Sequence, residues 1–232
     1  MSSSGHLVLF AWLSGIEQTQ ILPIIITCHL GTFFALICFF ARDIWGIFKD
    51  LVIIAQIVMV SLITAIFALT ARAFFEQLFQ KPTVVCLALL VTAILLLLSR
   101  RFAKDRRDMF ALNFKDAFWL GLSQGLAVIP GISRSGITIF SLLVRGVKPE
   151  AAFKFSFLAS IPAILGSFLI KAKDISFVFN NHPGNFCLAL GMSFLFGLLG
   201  LFILKRVVKR LELHYFGYYL IVISVLGFIF VK

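Results

Sequence analysis

Apolar residues run along the chain in long blocks separated by short polar stretches. Six blocks, at about 21–41, 51–70, 82–99, 150–171, 184–204 and 214–231, are each close to the ~20 residues that a membrane-spanning helix needs. Pro82 and Pro149 stand at predicted helix starts, where a missing N–H costs little. Pro162 lies inside a block and predicts a kink. Residues 1–15 carry an apolar piece of only about ten residues, too short for a hydrocarbon core of roughly 30 Å. That piece reads as a signal-type segment, an interfacial segment or half of a re-entrant hairpin. Residues 100–148 open with the basic loop RRFAKDRRD and continue as two short apolar pieces, about 112–129 and 136–146, broken by PGISRS. Two half-helices meeting at a polar turn predict a hairpin that enters and leaves the membrane on the same side.

Composition removes the soluble alternatives. Of 232 residues, 61% are hydrophobic and 13% charged, too little charge to cover a soluble domain of this size. The 28 phenylalanines read as lipid-facing and packing residues. The net charge of +11 does not point to nucleic acid, because the basic residues sit in short loops between apolar blocks. With six spans and a non-crossing hairpin, five of the 21 Lys and Arg (Arg72, Lys81, Lys171, Lys173, Lys232) fall on one side and fourteen on the other, with Arg134 and Lys154 inside segments. The basic-rich side is expected to be cytoplasmic and both termini periplasmic. Met1 is followed by SSSGH, with no basic region of the kind that opens a secretory signal. The four cysteines, Cys28, Cys38, Cys86 and Cys187, lie in apolar blocks without metal-ligand spacing and read as small buried hydrophobes. His29 is expected to line a cavity or bond a neighbouring helix, and His182 and His214 to be solvated.

A weak internal repeat accompanies this pattern. Ser2-Ser3-Ser4-Gly5 echoes Ser133-Arg134-Ser135-Gly136, and Leu30-Gly31-Thr32-Phe33 echoes Leu165-Gly166-Ser167-Phe168. An odd number of spans between the copies makes them inverted. The expected architecture is therefore a single all-α membrane domain over residues 1–232, with inverted repeats at about 1–99 and 112–232. It has about six transmembrane helices and two opposed re-entrant hairpins. Inverted repeats with broken helices place a site at the repeat interface near mid-membrane.

The stretch QGLAVIPGISRSGIT, Gln124 to Thr138, is where chemistry concentrates. Arg134 is expected at membrane depth, where an ionisable residue is costly and marks a functional site by default. Gly5, Gly131 and Gly136 let backbone approach a ligand closely. A half-helix starting near Ser135 points free N–H groups and a positive dipole end at the turn. With the forked guanidinium of Arg134, this makes an anion site of phosphate geometry. The two tips together offer Ser2, Ser3, Ser4, His6, Ser133, Arg134, Ser135 and Thr138. The plainer readings are a structural ion pair for Arg134, helix caps for the serines, a loose tail for Ser2 to Ser4, and a packed or interfacial His6. Asp116 is expected near the mouth of the second hairpin.

At PGISRSGIT, with Gln124 upstream, the sequence resembles the undecaprenyl-diphosphate phosphatase family of the bacitracin-resistance type. SSSGHL resembles that family's first hairpin tip, HLGTFFALICFFARDIW the helix after it, and FSFLASIPAILG the helix after the second tip. The resemblance covers nearly the whole chain. It implies a bacterial inner-membrane enzyme of peptidoglycan synthesis that hydrolyses undecaprenyl diphosphate to the monophosphate, with Mg²⁺ or Ca²⁺ as cofactor. Carried over by position, Ser3 is the nucleophile, His6 the acid or base, and Arg134 grips the diphosphate. Ser133, Ser135, Thr138, Gly131 and Gln124 complete the substrate cradle. The implied partners are the polyprenyl diphosphate lipid and the bilayer, with a homodimer one arrangement open to the chain.

The family's E-x-x-x-E pair, the natural ligands of a hard divalent cation, does not precede the first tip here, and Glu17 follows it instead. About two dozen upstream residues are expected, from the ~1.5 Å rise of one half-helix and a short lead-in. Against the family pattern the first hairpin is then truncated, and without those residues the chain is expected to be a weak or dead hydrolase. Two other readings stay open: a polyprenyl-phosphate transporter or binder without chemistry, and an inactive truncated homologue.

Overall fold

The structure, a computed structural model, describes residues 2–15, 18–70, 81–102, 107–170, 175–176, 179–180 and 183–230, with the backbone alone for residue 11 and residues 18–25. Glu17 and His182 lie outside the described residues. The fold is all-helical. In chain order the helices are α1 (Ser3–Leu13), α2 (Gln18–Phe39), α3 (Ala41–Ile47), α4 (Leu51–Thr70) and α5 (Pro82–Phe102). After a 3₁₀ turn at Met109–Ala111 come α6 (Phe114–Leu126), α7 (Arg134–Val144), α8 (Pro149–Ile170), α9 (Pro183–Lys209) and α10 (His214–Phe230).

The six apolar blocks are α2, α4, α5, α8, α9 and α10. By length and apolar composition α4, α5, α8 and α9 can each cross a membrane, and residues 26–39 of α2 with α3, bent by 67°, make a fifth if the bent pair is one span. α10, with 17 residues, is shorter. In a bilayer every backbone polar group needs an internal partner, which is why such runs form helices whatever their residue propensities. The protein-facing side of each is narrow. On α4 the buried residues are Ile53, Gln56, Val60 and Thr64, spaced by three or four and so stacked on one face. On α9 only Phe186, Leu201 and Val208 are buried; Leu204 and Val207 are half-buried against the core, and Leu188, Leu195, Phe196, Leu199 and Phe202 face outward, as lipid allows.

Helix pairing follows small residues. α10 lies along α5, α9 along α2, and α4 along α6. A Cβ on Gly217 would meet the Leu97 side chain at 2.9 Å and one on Gly31 the Ser193 hydroxyl at 2.0 Å, so both contacts need the missing side chain. Ser224 of α10 donates to the Cys86 carbonyl of α5 at 2.8 Å. The helix ends rich in Lys and Arg gather at one end of the bundle. There Lys154 pairs with Asp43 at 2.6 Å, Lys209 with Glu150 at 2.9 Å, and Lys205 stands over the Phe39 ring.

The second hairpin is α6, a turn and α7. Asn113 opens α6 with a capping box, its side chain accepting from the Asp116 N–H and its own N–H donating to the Asp116 carboxylate. Asp116 is fully buried. It accepts from Arg107 Nη1 at 2.7 Å and Nη2 at 3.0 Å, and from Arg145 Nε. Arg107 also donates to the Arg145 carbonyl at 2.6 Å and pairs its backbone with Val147 and Lys148. One carboxylate thus ties the entry of the hairpin to its exit. The acid at the mouth was expected; its two arginine partners were not.

Two sequence expectations need correction. Cys86 is buried and Cys28 half-buried, but Cys38 and Cys187 are exposed. Lipid accepts a thiol face, so an apolar block does not imply burial in protein. His214 is half-buried rather than solvated. Its Nδ1 is enclosed without a hydrogen-bond partner among the described residues, and its ring packs on Tyr215 at 4.3 Å.

Burial pushes the Asp116 carboxyl up, but the hydrogen bonds from Arg107, the Asn113 N–H and Arg145 outweigh it and hold the group below the usual carboxylate range. A depressed folded-state value stabilises above the ordinary carboxylate value near ~4 and loses that stabilisation as pH falls through the lower folded value. Asp116→Ala leaves two arginines facing a buried gap and is expected to cost about 3 kcal/mol. Thermal unfolding in detergent at neutral pH and near pH 3 checks both statements. The variant should melt lower at neutral pH, and the gap to wild type should shrink in acid.

Candidate functional site

The two hairpin tips meet. α1 starts at Ser3 behind Ser2, whose backbone is left-handed (φ 51°, ψ 62°). A Cβ placed on Gly5 would lie 3.0 Å from the Cα of Gly131 and 3.2 Å from Leu89, so the first tip touches the second on the side of α5. Gly131 has φ +98°, a region that favours glycine, and a Cβ there would lie 2.5 Å from the Val85 carbonyl oxygen. Sterics and backbone conformation both require glycine at this position.

The turn between α6 and α7 is held by Thr92 of α5. Its hydroxyl accepts from the Ser133 N–H at 3.0 Å, and its proton is shared between the Ala88 carbonyl at 3.0 Å and the Gly131 carbonyl at 3.1 Å. Ser133 then caps α7, accepting from the Gly136 N–H at 3.2 Å. α7 therefore begins at Arg134, three residues after the Gly131 that the first tip touches. The Nη1 of Arg134 is buried and has no hydrogen-bond partner among the described residues. Asp116, the buried carboxylate of this hairpin, is bound by Arg107 and Arg145, so Arg134 is not its ion-pair partner.

On the first tip, Ser3 and His6 line one cavity of about 570 Å³ with Tyr215, Phe216 and Tyr219 of α10. His6 Nδ1 is 2.8 Å from the Ser2 carbonyl, and Nε2 is 3.0 Å from the Tyr219 hydroxyl. Ser2 Oγ is buried without a partner among the described residues. Gly131, Ser133, Arg134 and Ser135 stand at the second tip. Thr138 and Gln124 do not reach the junction in the same way. The Thr138 hydroxyl donates to the Arg134 carbonyl at 2.6 Å and meets Ser156 of α8 at 2.6 Å, so it braces α7 against α8. Gln124 faces α4, donating to Thr64 at 3.0 Å, with its Oε1 buried and without a partner among the described residues.

The donor set is a guanidinium, hydroxyls, backbone N–H groups and an imidazole, which suits an anion with several oxygens. It does not suit a hard divalent cation. Among the described residues no three His, Cys, Asp or Glu side chains are grouped to hold one, and His6 is the only such side chain at the tips. Thr92 and Tyr219 were missed by sequence reasoning. Thr92 left a signal, a hydroxyl inside the apolar run LLVTAILLLL; Tyr219 did not, because tyrosine near a helix start reads as an interfacial anchor.

Comparison with known proteins closes the description. The chain matches the family of Bacitracin resistance protein BacA over residues 1–226. It is 35% identical over 244 residues to the undecaprenyl-diphosphatase of Alkaliphilus metalliredigens (strain QYMF), covering 94% of this chain and 88% of that protein. It is 35% identical over 237 residues to the undecaprenyl-diphosphatase of Thermosipho melanesiensis, covering 99% and 92%. The undecaprenyl-diphosphatase of Carboxydothermus hydrogenoformans is 37% identical over 235 residues, covering 97% and 88%.

Gly131→Ala tests the tip contact. The added methyl must displace α5 or the turn, at a cost on the order of 2–3 kcal/mol for overpacking plus a strained φ. Differential scanning fluorimetry should show a lower midpoint, while Gly166→Ala, where a Cβ meets nothing within 4 Å, should leave it near wild type.

Proposed function

The chain belongs to the bacitracin resistance protein BacA family, and on that premise we propose how its tips act on a polyprenyl diphosphate. The protein is a multi-pass membrane phosphatase that releases inorganic phosphate from undecaprenyl diphosphate and leaves the monophosphate. The observation that carries the site assignment is the buried Nη1 of Arg134, a cationic N–H with no hydrogen-bond partner among the described residues, at the start of the helix that follows the tip contact at Gly131. An unpaired charge in a membrane interior is costly, and a phosphate oxygen is the group that satisfies it.

The proposed reaction uses both tips. Arg134 and the first N–H groups of α7 hold the diphosphate oxygens, with Ser133 and Ser135 beside them. The Ser3 hydroxyl, in the cavity it shares with His6, attacks the terminal phosphorus. His6 takes the serine proton, and the bond from that phosphorus to the bridging oxygen breaks, releasing the lipid monophosphate. Water then attacks the phosphoserine phosphorus, the serine oxygen leaves with the proton His6 returns, and phosphate departs. Developing charge on the leaving oxygen is met by Arg134 and the helix end, where most of the rate of a phosphoryl transfer arises. The divalent cation of the family finds no ligand set among the described residues, and no step here runs through one. Gln124 and Thr138 support the second tip from α4 and α8 without touching substrate.

The test is phosphate release from a polyprenyl diphosphate in detergent. Arg134→Lys keeps the charge and loses the fork, and should lower turnover by about 100-fold. His6→Ala and Ser3→Ala should lower it at least as far while retaining binding of the lipid. Wild-type turnover in Arg134→Lys would contradict the site.

A further inference from the structure

The imidazole of His6 is engaged on both nitrogens. Nδ1 faces the Ser2 carbonyl at 2.8 Å, which can only accept, so Nδ1 carries the hydrogen. In the neutral ring Nε2 is then the bare nitrogen, and its partner is the hydroxyl of Tyr219 at 3.0 Å. The two rings are nearly parallel, 3° apart in plane with centroids 5.6 Å apart. One carbonyl and one phenol thus fix tautomer, ring plane and direction together. They come from different parts of the chain, Ser2 from the start of the first tip and Tyr219 from α10.

We infer that Tyr219 is a positioning residue for the phosphatase reaction: its hydroxyl donates to Nε2, holds His6 in the Nδ1–H tautomer, and links that nitrogen to the cavity Ser3 also lines, so that the serine proton passes to the Tyr219 oxygen as Tyr219 gives its own hydrogen to Nε2. A neutral histidine that acts as a base needs one nitrogen free of hydrogen, and the tautomer is set by what the other nitrogen does. Ser2 alone fixes which nitrogen is protonated but leaves the ring free to swing about that bond. The second contact removes this freedom. The phenol suits both protonation states, since it donates to bare Nε2 and, after a half-turn of its O–H, accepts from Nε2–H. Tyr215, one turn earlier on α10, lines the same cavity, so this helix face forms its wall. Tyr218 is also exposed, but it packs edge-on against His214 at 6.2 Å and takes no part in these contacts.

This inference rests on the reading of His6 as the acid and base of the reaction, and the experiment separates the two. Tyr219→Phe removes one oxygen from a half-exposed ring and keeps its packing. Turnover on polyprenyl diphosphate should fall about tenfold, the scale of one lost hydrogen bond, with KM unchanged and Tyr218→Phe near wild type. In protein labelled with ¹⁵N-histidine, the Nε2 resonance of His6, assigned by its loss in His6→Ala, should move in Tyr219→Phe and stay put in Tyr218→Phe. If turnover and resonance are both unchanged while His6→Ala is inactive, the role of Tyr219 is overturned and the role of His6 stands. A fall in turnover without a shift of the resonance also overturns it. If His6→Ala retains turnover, the reading of His6 fails, and the inference with it.

Discussion

The structure depends on how the broken backbone between Pro130 and Ser133 finds hydrogen-bond partners where the bilayer supplies none. A helix interrupted at membrane depth must be served by neighbouring protein. Thr92 does this for two open groups at once, accepting from Ser133 N–H and donating towards the Gly131 carbonyl. A hydroxyl on an apolar span is enough because Gly131 lets the turn come into contact with α5. Ser133 satisfies the next N–H, at Gly136, and α7 can begin at Arg134. The anion-binding character of the tip follows from this arrangement: a helix start and a buried cation.

The same hairpin is fixed at its other end by charge. Asp116 is fully buried, yet its oxygens are used by two arginines and a backbone N–H. A buried ion pair is weak evidence for stability, since desolvation offsets most of the attraction. Its clearest effect here is geometric. It holds residues 107, 116 and 145 together, so that α6 and α7 enter and leave at one place, while Thr92 fixes the turn at the other end.

Much of the architecture was legible in the sequence because lipid imposes a simple rule. Runs of about 20 apolar residues must be helices, and α4 coincides with the block at 51–70. The second tip was legible for the opposite reason: Arg134, Pro130 and two serines contradict their apolar surroundings. Contacts between segments far apart in the chain were not legible. Apolar periodicity tells little about which face of a lipid-embedded helix meets protein, since both faces are apolar. Cys38 and Cys187 were therefore misplaced, and Tyr219 was not singled out. Thr138 and Gln124 were carried into the substrate cradle by the family resemblance, while their side chains bond Ser156 of α8 and Thr64 of α4.

The central claim is that the open N–H of Arg134 receives the diphosphate of a membrane lipid. Its most direct measurement is the guanidinium spectrum of Arg134 in ¹⁵N-arginine-labelled protein. The resonance is assigned by its loss in Arg134→Lys and followed as a polyprenyl methylenediphosphonate is added. A shift with the diphosphonate and none with the polyprenol at the same concentration is the predicted result. An unmoved resonance, or an equal shift with the uncharged alcohol, would contradict the account.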